Sequence, residues 1–287
     1  VRSVGIIAGS GDLPLHVAGE AAQRGFRVIA IAFSGFTNPG VEKIVHETLW
    51  LKLGQIDRAI QALKSRSITQ VVMAGKIEKI NLMRLWNVRP DKRALRLIRS
   101  ISDWRDDTIL GAIANELLLE GIVVDEITGW ASKLMAPSGI LTSRPPTESQ
   151  WADIEFGRAM ARGIGALDIG QTVLVKNSAV IVVEAIDGTD KAIRRAADLD
   201  IPDTVVVKMA KPAQDMRFDV PGAGPSTVDS MIAAQAKVLA VEAGKTLITS
   251  YEEMIRKAEE AEISIVGIPA EGPVRPTGHE SSKSLSE

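Results

Sequence analysis

The sequence predicts an α/β protein of two domains, the first a doubly wound parallel sheet and the second an α/β domain with a mixed sheet. Three observations carry this expectation. Short apolar runs alternate with helical segments through residues 4–74, the pattern of parallel strands joined by right-handed crossovers. A stretch poor in apolar residues, 136–150, then interrupts the chain with Pro137, Gly139, Pro145 and Pro146, as a domain boundary does. Beyond it two apolar runs are separated only by Asn177-Ser178, a turn pair suited to an antiparallel hairpin. A chain of 287 residues that is 45% hydrophobic can bury two cores of ordinary size.

Taken in order, residues 4–8 read as a buried strand, followed by the loop Gly9-Ser10-Gly11-Asp12-Leu13-Pro14. A helix over 16–24 stops at Gly25, and 27–33 is the second strand. This βαβ opening makes the first domain Rossmann-like. A third strand is expected at 48–53, and a helix at 56–65 with Ile56, Ile60 and Leu63 on one face. Residues 70–74 form a strand closed by Gly75. Helices follow at 93–101 and 108–120, then a strand at 122–127. The first domain is thus placed at 1–135, a linker at 136–150 and the second domain at 151–270. That second domain reads as a helix at 152–164, hairpin strands at 171–176 and 179–185, a helix at 191–197 and a strand at 204–209. A long helix at 227–243 and a strand, helix and strand at 247–249, 251–261 and 264–268 complete it. The polar tail, 271–287, is expected to be disordered.

Composition excludes several chemistries. The chain has no cysteine, so disulfides, thiolate zinc sites and a cysteine nucleophile are absent. Its three histidines, His16, His46 and His279, are far apart. A metal would therefore be a hard ion on oxygen ligands, such as Mg²⁺. A net charge of −2 and a pI near 6.1 argue against a nucleic-acid binder. The N-terminal run is too short for a signal peptide, and no stretch approaches the ~18 apolar residues of a membrane span. The expected location is cytoplasmic, at most peripheral to a membrane.

Several segments can carry chemistry. Gly9-Ser10-Gly11 lies between a strand and a helix, where glycines let amides approach a phosphate; a tight structural turn is the alternative. Residue 14 is proline and the second strand ends without an acid, which disfavours a nicotinamide cofactor. Gly75 and Lys76 end another strand, where ligands of open parallel sheets collect. Residues 76–99 hold eight Lys or Arg against Glu78 and Asp91, with Leu82, Met83, Leu85 and Trp86. That composition suits either an anionic membrane face or a solvated helix with a core side. Arg105-Asp106-Asp107 precedes a helix, where adjacent carboxylates could take a metal, though Asp107 more often serves as the helix N-cap. Glu184 to Asp190, with Gly188 and Thr189, couples a strand end to a basic helix; a turn with Thr189 or Asp190 as cap suffices for it, and phosphate or metal contact is the second reading. The densest segment runs from Lys208 and Lys211 through Gln214, Asp215, Arg217 and Asp219 to Thr227. It joins cations for phosphate, a carboxylate for a hard metal and a glycine loop before a helix.

These residues resemble the LpxI-type UDP-2,3-diacylglucosamine pyrophosphatases over about residues 1–269. The resemblance rests on Gly5-Ile-Ile-Ala-Gly-Ser-Gly-Asp-Leu-Pro14, Ala74-Gly75, Leu167-Asp-Ile-Gly-Gln171 and Val183-Glu-Ala-Ile-Asp-Gly-Thr-Asp190 with Arg194-Arg195. It continues through Lys208-Met-Ala-Lys-Pro-Ala-Gln-Asp215 into Arg217-Phe-Asp-Val-Pro221. It implies Mg²⁺-dependent hydrolysis of UDP-2,3-diacylglucosamine to UMP and lipid X in lipid A biosynthesis, with attack leaning to the β-phosphorus. It also implies substrate held between the domains, a homodimer formed through the second domain, and work at the inner-membrane surface. The family's essential aspartate falls on Asp219, the expected catalytic and metal-binding residue. Gly9, Ser10, Gly11, Gly75, Lys76, Gly188, Thr189, Asp190, Lys208, Lys211, Arg217 and Thr227 are the expected substrate contacts. The rival reading is a non-catalytic protein that binds a nucleotide-sugar or an acylated sugar phosphate.

Overall fold

The computed structural model describes residues 2–76, 90–101 and 106–275. The chain divides into two compact units, the first comprising Val1–Ser132 with Asp215–Asp219, the second Lys133–Gln214 with Val220–Glu287.

The first unit opens with β1 (Ser3–Ala8), α1 (Leu13–Gln23), β2 (Arg27–Phe33), a 3-10 turn at Pro39–Lys43 and β3 (Glu47–Leu51). It continues with α2 (Ile56–Lys64), β4 (Gln70–Ala74), α3 (Lys92–Ser100), α4 (Asp106–Leu119) and β5 (Val123–Asp125). The strands are parallel in the order β3-β2-β1-β4-β5. The order reverses between β1 and β4, and such a reversal opens a crevice at the carboxyl ends of the strands. Both faces of the central strands are covered, so Val28 to Ala32 are all fully buried and read as one apolar run rather than an alternation. Ile29, Ile31, Val71 and Met73 pack on Ile60 and Leu63 of α2 and on Ala114 and Leu117 of α4. Arg93 on α3 ties these helices together through Asp57, Glu116 and Glu120.

The second unit contains β6 (Gly139–Ile140), α5 (Glu148–Ala166), β7 (Thr172–Lys176), β8 (Ala179–Val183), α6 (Thr189–Ala197) and β9 (Val205–Lys208). β10 (Gly222–Ala223), α7 (Pro225–Ala233), β11 (Val238–Glu242), β12 (Leu247–Ile248), α8 (Tyr251–Glu260) and β13 (Ser264–Ile268) follow. Its sheet is mixed, in the order β6-β13-β11-β9-β7-β8. β13, β11 and β9 run parallel, while β7, β8 and β6 pair antiparallel with their neighbours. β10 and β12 form a separate parallel pair. Leu174, Val206 and Leu239 point to the face carrying Ile193 of α6, Met231 of α7 and Met254 of α8. Val173, Val207 and Ala240 point to the other face, against Trp151 and Ile154 of α5. A Cβ on Gly157 would lie 2.5 Å from a Val207 methyl, so glycine sets the close approach of α5 to the sheet.

The hairpin turn forms as expected, with Asn177 and Ser178 both at positive φ, 51° and 57°. The buried Asp153 carboxylate of α5 accepts from both turn amides, 3.1 Å from Asn177 N and 2.6 Å from Ser178 N. Asp153→Ala leaves both amides without that acceptor. We expect it to destabilise the fold by about 1–3 kcal/mol, read as a lower urea midpoint.

Three expectations need correction. Residues 136–150 are built into the second unit and do not form a free linker. Ala136 is buried, β6 pairs with β13, and Thr147 with Gln150 forms the capping box of α5. An edge strand and a helix cap are themselves polar, which is why the segment reads as a loop. The helix expected at 227–243 is two elements. α7 ends at Ala233, Gln235 turns the chain at φ 53°, and β11 follows, buried along its whole length. Short apolar runs do not separate buried strand from buried helix by period alone. The tail is packed at its start, with Val274 in the α5-side core and Arg275 paired to Glu148. The remainder, 276–287, and the basic stretch at 77–89 lie outside the described residues. Among the described residues, no helix is long and apolar enough to cross a membrane.

Candidate functional site

In the first unit, the loops that leave β1 and β4 meet at the reversal of strand order. Gly9 N donates to Ala74 O (2.7 Å), Ser10 N to Lys76 O (2.8 Å) and Lys76 N to Ser10 O (3.2 Å). Ser10 Oγ also donates to Lys76 O, at 2.9 Å. The backbones are so close that a Cβ on Gly9 would lie 2.7 Å from Lys76 O. The amides of Gly9 and Ser10, expected to face a phosphate, thus serve the crossing of two loops. Gly11, at φ 84°, has open space around it, and Lys76 is exposed.

An apolar cavity opens at the same strand ends. Gly9 and Gly75 stand beside Ile7, Ile31, Phe33 and Met73 from the sheet and Leu97, Ile113 and Phe218 in its lining. Phe218 comes from the segment Asp215–Asp219, which belongs to this unit although it follows β9 in sequence. Met216 O accepts from Ile127 N at 3.1 Å. Within the segment, Asp219 N donates to Asp215 O at 2.9 Å, closing a helical turn. Arg217 holds the Asp215 carboxylate through Nε (2.9 and 3.1 Å) and Nη2 (2.5 Å) and lies over the Phe218 ring.

That guanidinium holds the Asp215 carboxyl below its ordinary range, and the pairing raises Arg217 in turn. A depressed folded pKa gives stability that is present above the unfolded value of about 3.9 and lost as pH falls through the folded value. The stability gap between wild type and Asp215→Asn should therefore hold at neutral pH and shrink below about pH 4. Thermal melts across pH 2.5–7 check this.

In the second unit, four of the expected residues converge. Lys208 ends β9 and is only 4% exposed. Its Nζ donates to Thr189 Oγ1 at 2.7 Å, and Thr189 opens α6. Thr227, in the first turn of α7, donates to Asp190 Oδ1 at 3.1 Å. Gly188 at φ 83° precedes α6. The N-termini of α6 and α7 are thereby linked beside a buried ammonium, and helix N-termini and cations both favour anions. Lys211 is paired with Asp168 at 2.7 Å. Among the described residues, no group of three acidic or histidine side chains forms a metal cage.

Sequence reasoning missed two features. Glu242, buried at the end of β11, accepts from Ala210 N at 2.9 Å and pins the start of the Lys211–Asp219 stretch. Its sequence signal, the five-residue run from Val238, was absorbed into the expected helix. The cavity was missed because its lining comes from residues scattered over the whole first unit.

Residues 3–134 match the LpxI N-terminal domain and residues 137–266 the LpxI C-terminal domain. The chain belongs to the LpxI family. It is 30% identical over 289 aligned positions to a UDP-2,3-diacylglucosamine pyrophosphatase LpxI of Caulobacter vibrioides, covering 95% of this chain and 100% of that one. Among solved structures, a phosphoribosylglycinamide synthetase from Anaerococcus prevotii is 13% identical with a TM-score of 0.25, over 68% of this chain and 34% of that one. An N5-carboxyaminoimidazole ribonucleotide synthetase from Thermotoga maritima is 14% identical with a TM-score of 0.23, over 67% and 43%. The chain spans less than half of either structure, and at these scores the likeness carries no argument.

Proposed function

We propose that this LpxI-family protein hydrolyses the pyrophosphate bond of UDP-2,3-diacylglucosamine, giving UMP and 2,3-diacylglucosamine 1-phosphate (lipid X) in lipid A biosynthesis. The observation that carries this reading is the presence of both LpxI domains in one chain, which aligns over 95% of its length with a relative named for that activity. The chemistry of each unit supports it. The Lys208 ammonium and the α6 and α7 N-termini suit phosphoryl oxygens. The apolar cavity of the first unit suits acyl chains, with Asp219 next in sequence to Phe218 in its lining. The strand order of the first unit supports a Rossmann-like fold.

Mg²⁺ fits the donor chemistry. It takes one or two carboxylates and completes its shell with water and substrate phosphate, without a protein cage. Asp219 would hold it, as the carboxylate on which the family's essential aspartate falls, while the neighbouring Asp215 pairs with Arg217. When bound, the ion neutralises phosphoryl charge and activates water. Gly11, Lys76, Lys211 and Arg217 complete the proposed contacts. The protein works as a homodimer through its second unit, where Val180 on edge strand β8 and the nearby Ile186 are exposed apolar groups. A lipid substrate supports work at the cytoplasmic face of the inner membrane.

The test is the purified protein with UDP-2,3-diacylglucosamine, with and without Mg²⁺, following UMP. Release of UMP that requires Mg²⁺ is expected. Tight binding of intact substrate without product would instead favour a carrier.

A further inference from the structure

Behind the Lys208 ammonium the second unit holds a polar row that the pyrophosphatase chemistry leaves unexplained. Thr172 pairs with Lys208 across β7 and β9, and Glu184 N donates to Thr172 O at 2.9 Å. Leu174, Val182 and Val206 point to the α6 and α7 face, so by alternation Thr172, Glu184 and Lys208 do too. Glu184 is 7% exposed. Its Oε1 accepts from Thr189 Oγ1 at 3.0 Å, while Oε2 is buried with no hydrogen-bond partner among the described residues. A buried carboxylate with an oxygen left over opposes folding, and α6 does not need it in order to start. Gly170 fixes its place from behind, because a Cβ there would fall 2.1 Å from Glu184 O.

We propose that Glu184 is a positioning residue for Lys208. An ammonium only donates and an ionised carboxylate only accepts, while a threonine hydroxyl has one proton and lone pairs. With Glu184 accepting the Thr189 hydroxyl hydrogen bond, the Thr189 lone pair is turned to Lys208 Nζ. The lysine is then held at the N-terminus of α6, where helix start and ammonium together favour an anionic ligand. This inference rests on the proposed pyrophosphate chemistry, in which Lys208 meets a phosphoryl oxygen.

The experiment is a double-mutant cycle on the full chain, with two readouts: kcat/KM for UMP release and UDP affinity by calorimetry. Glu184→Ala and Thr189→Val should each lower both readouts, kcat/KM by about 10–100-fold, the usual effect of losing an orienting partner. The double variant should be no worse than the worse single, because both break one relay. Thr189→Ser should restore near wild-type values, and Glu184→Gln should lose less than Glu184→Ala, since an amide oxygen still accepts. If Glu184→Ala does not fold, Glu184→Gln with Thr189→Val makes the same cycle. Multiplicative losses, or single variants with wild-type values, overturn the relay. A wild type that binds UDP but releases no UMP overturns the pyrophosphatase reading alone, and the affinity cycle still decides the relay. A wild type that neither binds UDP nor turns over substrate overturns both.

Discussion

Asp219→Ala is expected to abolish UMP release while leaving the protein folded. Pyrophosphate hydrolysis asks little covalent chemistry of a protein and much charge neutralisation and positioning. Removing one group that meets the developing charge commonly lowers kcat by 10²–10³, and loss of a group that also holds the metal should reach at least about 10³-fold, roughly 4 kcal/mol of barrier. Asp215 shares the turn but is held by Arg217, with Nε and Nη2 both on its carboxylate. The turn is closed by backbone, from Asp219 N to Asp215 O, and the substitution leaves that bond in place. A loss of about 1 kcal/mol would lower the melting temperature by only about 2–4 °C in a chain of this size. Asp219→Asn should lose activity almost as fully, since it keeps the shape and removes the charge. Substantial turnover by a folded Asp219→Ala protein would take Asp219 out of the mechanism.

What could be read from the sequence was what local signals determine. The β1–α1–β2 opening, the helix over α2 and the Asn177-Ser178 hairpin each follow from a period, a stop residue or a turn pair, and each stands within a few positions of where it was expected. Lys208, Thr189, Asp190 and Thr227 were singled out as separate strand-end and helix-start residues, and the fold brings them together because α6 and α7 begin at the same end of one sheet. Other features depend on tertiary partners that no window contains. Val238 to Glu242 became a strand because β9 and β13 flank it, although its residues could equally extend α7. Residues 136–150 became structure because β13 supplies an edge and Thr246 an acceptor for Ala136 N. Membership of Phe218 in the first unit's core was likewise out of reach, since the segment stands between two elements of the second.

Gly75→Ala is expected to be the most destabilising of the three glycine substitutions in the β1 and β4 loops, and the comparison separates two physical effects. At Gly75 φ is 92°, and a Cβ would lie 2.6 Å from Ser10 O and 2.9 Å from Gly9 C. Alanine at positive φ costs about 1–2 kcal/mol, and a clash that backbone must relieve costs about 1–3 more, so a loss of roughly 2–5 kcal/mol is expected. Gly9→Ala meets only the second effect, 2.7 Å from Lys76 O without a positive φ. Gly11→Ala meets only the first, with φ 84° and no atom within 4 Å of its Cβ. Urea unfolding should therefore rank Gly75→Ala as the least stable, with Gly9→Ala and Gly11→Ala each milder. UDP affinity supplies the second axis. If the crossing of the β1 and β4 loops is what Gly9 and Gly75 provide, their variants lose stability first and affinity only as a consequence. Gly11 has no such duty, so a loss of UDP affinity by Gly11→Ala at nearly unchanged stability would place the phosphate-facing part of the loop there. Equal stability of Gly75→Ala and Gly11→Ala would mean that the close approach of the two backbones is not maintained in solution.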